Sequence, residues 1–217
     1  MKKILLYAVV LLLIDRQANS QELTAPLRPK AEFPNMVSVG AGLSLGFAVI
    51  QIRTFQFYSS GNLVNVSSTP VITGSFERFM DKNLSFGLAG SYQSFHIAYG
   101  YNQVASNGTV YTTSDNHDVY TRVNIAIRIL GHFGNNPDWD HYFGFRAGYT
   151  FWNLTTDSTD PDYHKRNSLM NMPSGQIIYG FKYFRGPYGI GLEAGLGTAP
   201  YLLMANLNYR FGAKKSI

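Results

Sequence analysis

The stretch Val37 to Val49 constrains the fold more than any other part of the chain. Val37, Val39, Ala41, Leu43, Leu45, Phe47 and Val49 alternate with Ser38, Gly40, Gly42, Ser44, Gly46 and Ala48. Strict period-two alternation predicts a β-strand with an apolar face and a second face of very small residues. A strand of a water-soluble sheet sets its apolar face against polar, often charged side chains. Here the second face is almost empty instead. Small residues turned into a crowded lumen and large ones turned toward an apolar solvent are what a narrow transmembrane barrel requires.

The same pattern recurs along the chain. Leu84, Phe86, Leu88 and Tyr92 oppose Ser85, Gly87, Ala89, Ser91 and Gln93. Val119, Thr121, Val123, Ile125, Ile127 and Ile129 oppose Tyr120, Arg122, Asn124, Ala126 and Arg128. Phe143, Phe145, Ala147, Tyr149 and Phe151 oppose Gly144, Arg146, Gly148, Thr150 and Trp152. Ile177, Tyr179, Phe181 and Tyr183 oppose Gln176, Gly180 and Lys182, and Tyr188 to Leu196 alternates with Gly189, Gly191, Glu193, Gly195 and Gly197. The last strand sets Tyr201, Leu203, Ala205, Leu207, Tyr209 and Phe211 outward against Met204, Asn206, Asn208 and Arg210.

Turns are expected at Ser59 to Asn62, Met80 to Asn83, Ser106 to Gly108, Gly131 to His141, Arg185 to Pro187 and Thr198 to Pro200. With the returning strand that ends at Phe79, eight strands result, an even number joined by short lower turns and longer upper excursions. The expected class is all-β, a transmembrane antiparallel up-and-down barrel. Thr155 to Pro173 is the most polar part and is expected to be a mobile outer loop.

The ends have their own logic. Lys2 and Lys3, the apolar run Ile4 to Ile14 and Ala18-Asn19-Ser20 describe a secretory signal peptide over residues 1–20, with cleavage after Ser20. Residues 21–35, with Pro26, Pro29 and Pro34, read as an extended periplasmic lead-in, 36–212 as the barrel and 213–217 as a C-terminal tail. With no Cys, neither a lipid-anchored cysteine nor a disulfide framework is available, so closure and packing must hold the fold. The formal net charge of +5 is scattered, without the basic run that nucleic acid requires. Charged residues are only 14%, against 15 Tyr and 15 Phe, which favours a surface largely outside water.

The pattern from Val37 to Phe211 resembles the small eight-stranded outer-membrane barrels of the OmpA/OmpX type. Asn206-Leu207-Asn208-Tyr209-Arg210-Phe211 is similar to the C-terminal assembly signal of that family, although Gly212 to Ile217 follow it here. The resemblance implies a Gram-negative outer-membrane location, contact with outer-membrane lipid and lipopolysaccharide, and delivery by the outer-membrane insertion machinery. It also implies a non-enzymatic role in surface interaction or envelope maintenance, with an extracellular or envelope protein as partner. A lipid A acyltransferase or deacylase and a narrow, porin-like, anion-favouring path are the alternatives.

The sharpest chemical feature is the inward set Glu77, Arg122, Arg128, Arg146, Lys182, Glu193 and Arg210. An unpaired buried charge costs about 3–5 kcal/mol, so these residues are expected to pair across the lumen as a salt-bridged plug. His96, His117, His132, His141 and His164 fall near strand ends and turns without metal-ligand spacing, and are expected to be solvated, with His117-Asp118 a conceivable orienting pair for a serine. No metal, cofactor or catalytic residue is expected. Phe79, Tyr142, Phe184, Tyr188, Tyr209 and Phe211 below, and Tyr92, Tyr99, Phe151 and Tyr201 above, are expected to form two interfacial belts.

Overall fold

A computed structural model describes residues 33–44, 63–81, 83–104, 107–108, 110–133, 136, 138–158, 162–198 and 200–212. The leader, most of the lead-in, the upper part of the opening alternation, the tip of the first hairpin and the tail lie outside them. Among the described residues nine strands follow in order: β1 (Asn35–Leu43), β2 (Leu63–Ser68), β3 (Val71–Phe79), β4 (Leu84–Val104), β5 (Val110–Phe133), β6 (Trp139–Thr156), β7 (Met172–Arg185), β8 (Tyr188–Gly197) and β9 (Leu203–Phe211). One five-residue helix, α1 (Tyr163–Asn167), lies between β6 and β7.

Every pairing is antiparallel, and the ring β1-β3-β4-β5-β6-β7-β8-β9 closes through β1 with β9. Strands β2 and β3 both pair with β4 and form a single barrel strand, interrupted at Thr69 and Pro70, so the barrel has eight strands. The interruption follows from Pro70, which has no N–H for the ladder. Thr69 repairs the gap: its Oγ1 accepts the Ser94 backbone N–H at 3.0 Å, and its own N–H reaches Ser94 O at 2.9 Å. Across from this break the alternation of β4 lapses, and Gln93, Ser94 and Phe95 are all buried in succession.

Elsewhere the two faces separate as the sequence pattern requires. Outward residues are large and open, with Val39, Leu88 and Leu207 each more than 60% exposed, while the inward set is buried. Small inward residues make room for large inward neighbours. A Cβ on Gly180 would strike the Tyr142 ring, and one on Gly195 would strike the Gln176 amide. Glycine is required there by close approach, not by backbone angle.

Three boundaries differ from the sequence reading. Asn35 already belongs to β1, because Pro34 O accepts the Phe79 N–H at 2.8 Å and starts the pairing. The lower turn between β5 and β6 spans only 134–138, since His132 and Asp140 continue the inward face. The outer loop after β6 is not a free excursion. It folds α1 back over the barrel, where Tyr163 and Leu169 pack on the cluster Phe95, Ile97, Tyr120 and Leu154.

Candidate functional site

The lumen is the site, and it has three storeys. The lower end is the one that carries Asn35, Phe211 and the short turns. There Asp140 on β6 lies opposite Lys182 on β7, and one strand further round is His132 on β5. His132 Nδ1 is 3.0 Å from each Asp140 carboxylate oxygen, and Ser85 Oγ is 2.7 Å from His132 Nε2. Ser, His and acid thus stand in the order of a nucleophilic triad. Ser85 and Asp140 are nevertheless 0% exposed and His132 only 2%, so no substrate reaches the hydroxyl in this conformation. The three tie β4, β5 and β6 together, with Phe79 against the imidazole at 4.8 Å. The expectation of solvated histidines is therefore wrong for His132, and its signal was available: it shares the parity of Arg128. Beside this tie, the Arg210 guanidinium stacks 3.2 Å from the centre of the Phe184 ring.

The next storey is ionic. Arg128 Nη2 lies 2.6 Å from Glu193 Oε2 and 3.3 Å from Glu77 Oε1, and Lys182 Nζ lies 3.2 Å from Glu77 Oε2. The Tyr142 hydroxyl donates to Glu193 Oε2 at 2.7 Å, and the Tyr201 hydroxyl donates to its other oxygen. Lys182 also sits 4.4 Å from the Tyr142 ring centre. Four of the seven inward charges therefore form one cross-lumen unit, supported by two phenols. The residual cavity here, lined by these charges with Thr73 and Asn206, measures about 10 Å³. That is roughly the space of one water molecule.

Above it the chemistry changes. Among the described residues no carboxylate lies in hydrogen-bond or ion-pair contact with Arg146: its Nη2 donates to Asn124 Oδ1 at 2.7 Å, and its guanidinium lies 5.6 Å from the Tyr201 ring centre. Arg122 Nη2 donates to Gln93 Oε1 at 2.5 Å and to the Pro200 carbonyl at 2.6 Å, with Ser44 Oγ at 3.0 Å. Phe95 and Trp152 flank it at 5.8 and 5.6 Å. The apolar cluster under α1 then closes the top, pinned by Tyr163 Oη donating to Asp118 Oδ2 at 2.7 Å and Tyr120 Oη donating to Asn167 O at 3.1 Å.

The structure thus brings Glu77, Arg128, Lys182 and Glu193 together, leaves Arg122 and Arg146 on neutral acceptors and ring faces, and sets Arg210 on the Phe184 ring in the field of Asp138 and Asp140. Four of the aromatics expected in the interfacial belts face inward: Phe79, on the same face as Glu77, packs on the buried His132, and three others lie deeper. Tyr142, Phe184 and Tyr201 are buried in the lumen, not in interfacial belts. Tyr142 and Phe184 share the parity of Arg146 and Lys182, so their strands already pointed inward. Tyr201 precedes β9, where alternation carries no information. Outward aromatics remain below, where Tyr188 packs on Tyr209 at 5.3 Å, and toward the top at Tyr92 and Phe151.

The other histidines are peripheral. His117 does not orient a serine through Asp118. Its backbone N–H donates to Asp157 Oδ1 at 2.8 Å, and hydrogen bonding to His117 holds the exposed Asp157 carboxyl below its ordinary range. His96 Nε2 is 3.2 Å from Ser94 Oγ, His141 stacks on Trp139 and His164 lies exposed on α1.

No family model and no curated protein matches the sequence. Among solved structures, the chain is similar to the outer membrane protein OprG from Pseudomonas aeruginosa, 10% identical, over 86% of this chain and 100% of that one, with a TM-score of 0.46. It is also similar to the N-terminal β-barrel domain of Pseudomonas aeruginosa OprF, 19% identical, over 83% and 100%, with a TM-score of 0.37. The third is Ail, the attachment invasion locus protein of Yersinia pestis, 10% identical, over 83% and 99%, with a TM-score of 0.36. The likeness is one of architecture, and the eight-stranded count rests on the chain's own strand registers.

Proposed function

We propose that this eight-stranded barrel is an integral outer-membrane protein with a sealed lumen, working through its outer hairpins and neither as a pore nor as an enzyme. The observation that carries the reading is the filled lumen: Arg128, Glu77, Glu193 and Lys182 cross-link its walls, and α1 with its apolar cluster covers the upper mouth. A conducting path would need a continuous polar opening. Side chains fill small barrels of this size instead.

The outward belt supports the membrane location, because alternating apolar residues cover strands of the nine or ten residues that span a bilayer. Strands β4 and β5 run to 21 and 24 residues, roughly twice that span, so their hairpin stands well above the barrel. With β2 paired alongside, it presents a sheet to the exterior, and this is the part suited to a protein or cell-surface partner.

Reconstitution of the purified protein in a planar bilayer tests the reading. The expected result is a folded, heat-modifiable barrel that carries no stepwise current. Stable anion-selective steps would overturn it and make Arg122, Arg146 and Arg128 a pore lining.

A further inference from the structure

On the outer wall the belt is interrupted by a groove of about 750 Å³, almost wholly apolar in its lining. Strand register creates it. Ala41 on β1 lies opposite Ala205 on β9, so two methyl groups form a low floor exactly where neighbouring strands raise Ile72 and Leu192. The far wall is Phe181 with the Trp139–Tyr183 pair, whose ring centres are 5.0 Å apart. The volume is within the range of small-molecule sites. Close-packed surroundings would leave it as a void with lost contacts unless a flexible chain entered it.

We propose that the groove binds one acyl chain of an anionic glycerophospholipid from the leaflet at the lower, terminus-bearing end of the barrel. The inference rests on the membrane reading given above. The polar end of the ligand is set by Arg185, an exposed cation on the same outward face of β7 as Tyr183. Arg185 is two residues further along the strand, roughly 7 Å along its axis toward the lower end. The Trp139 and Tyr183 rings mark headgroup depth, and Arg185 lies just beyond them, where a lipid phosphate would sit. Lipopolysaccharide fits the site poorly, because the cation is at the lower end and the groove rises from it toward mid-barrel.

The chain has two tryptophans, and they separate the possibilities. Trp139 faces the groove, whereas Trp152 is half-buried beside the inner cluster. The probe is the Trp152→Phe protein in phosphatidylcholine vesicles containing a small mole fraction of phosphatidylglycerol brominated along its acyl chains. Trp139 fluorescence should be quenched several-fold more than by the same fraction of brominated phosphatidylcholine. Adding Arg185→Gln should remove the headgroup preference, and adding Ala205→Leu should lower quenching by both lipids by filling the floor. Equal quenching by the two lipids, unchanged by either substitution, would mean ordinary surrounding lipid and would overturn the proposal. If even vesicles made wholly of brominated phosphatidylcholine left Trp139 unquenched, the membrane reading itself would fall, and the lipid site with it.

Discussion

The lower and upper halves of the lumen bury the same kind of charge and accommodate it differently. Below, Arg128 and Lys182 meet Glu77 and Glu193, and His132 meets Asp140. Above, Arg146 and Arg122 meet an amide, a carbonyl, hydroxyls and ring faces, with no carboxylate among their described contacts. An ion pair removed from water is strongly asymmetric: intact, it is near neutral in net stability, and broken, it strands a charge. Neutral acceptors and aromatic faces give smaller, more graded support. The lower half is therefore a lock that fails when one member is lost, and the upper half is a set of adjustable contacts.

The largest effect should come from Glu193→Gln. It leaves Arg128 with Glu77 as its only carboxylate and turns an amide toward a guanidinium. The loss is expected near the lower end of the range for a broken buried pair, about 3 kcal/mol. The measurement is the urea midpoint of the detergent-folded barrel, followed by heat-modifiable gel mobility. An unchanged midpoint would show that the lower half is no lock.

Arg122→Met should matter less. It strands the Pro200 carbonyl and the Gln93 amide oxygen, each worth about 1–3 kcal/mol when left unmade, but it also removes a cation with no carboxylate among its described contacts, so the two terms offset. A net loss of about 1 kcal/mol in the same titration is expected. A loss equal to that of Glu193→Gln would erase the distinction between the halves.

That distinction was only half legible in the sequence. Strand parity placed all seven charges inside, because in a barrel a one-residue error would send an arginine into the apolar belt. Parity also placed Tyr142, Phe184 and His132 inside, but the expectation of aromatic belts and solvated turn histidines overrode it. Which cation meets which carboxylate depends on registers around the ring, such as Arg128 opposite Arg146 and Gly180 opposite Glu193, and these are not encoded along any one strand. The cap was hidden for another reason. Helix α1 has five residues, too few to show a period, and the Gln93-Ser94-Phe95 lapse in alternation follows from a proline on the neighbouring strand.

The smallest expected effect lies at the exposed rim and sharpens the contrast with the buried storeys. Asp157 accepts the His117 N–H and thereby joins β5, just above its last pairing with β6, to the chain leaving β6. This hydrogen bond favours the carboxylate and holds its pKa below the ordinary value. A depressed carboxylate contributes its tie in full above its unfolded pKa and loses it as pH falls through the folded pKa. Acidification below the ordinary carboxylate range should therefore lower the protection factor of the His117 amide. In Asp157→Asn, which keeps an acceptor oxygen but cannot titrate, protection should stay flat with pH. The site is exposed and screened by solvent, so the change should be confined to the rim and leave the urea midpoint unmoved. If the midpoint of the barrel followed the same titration, the rim and the buried storeys would be one cooperative unit, and the division between lock and adjustable contacts would have to be redrawn.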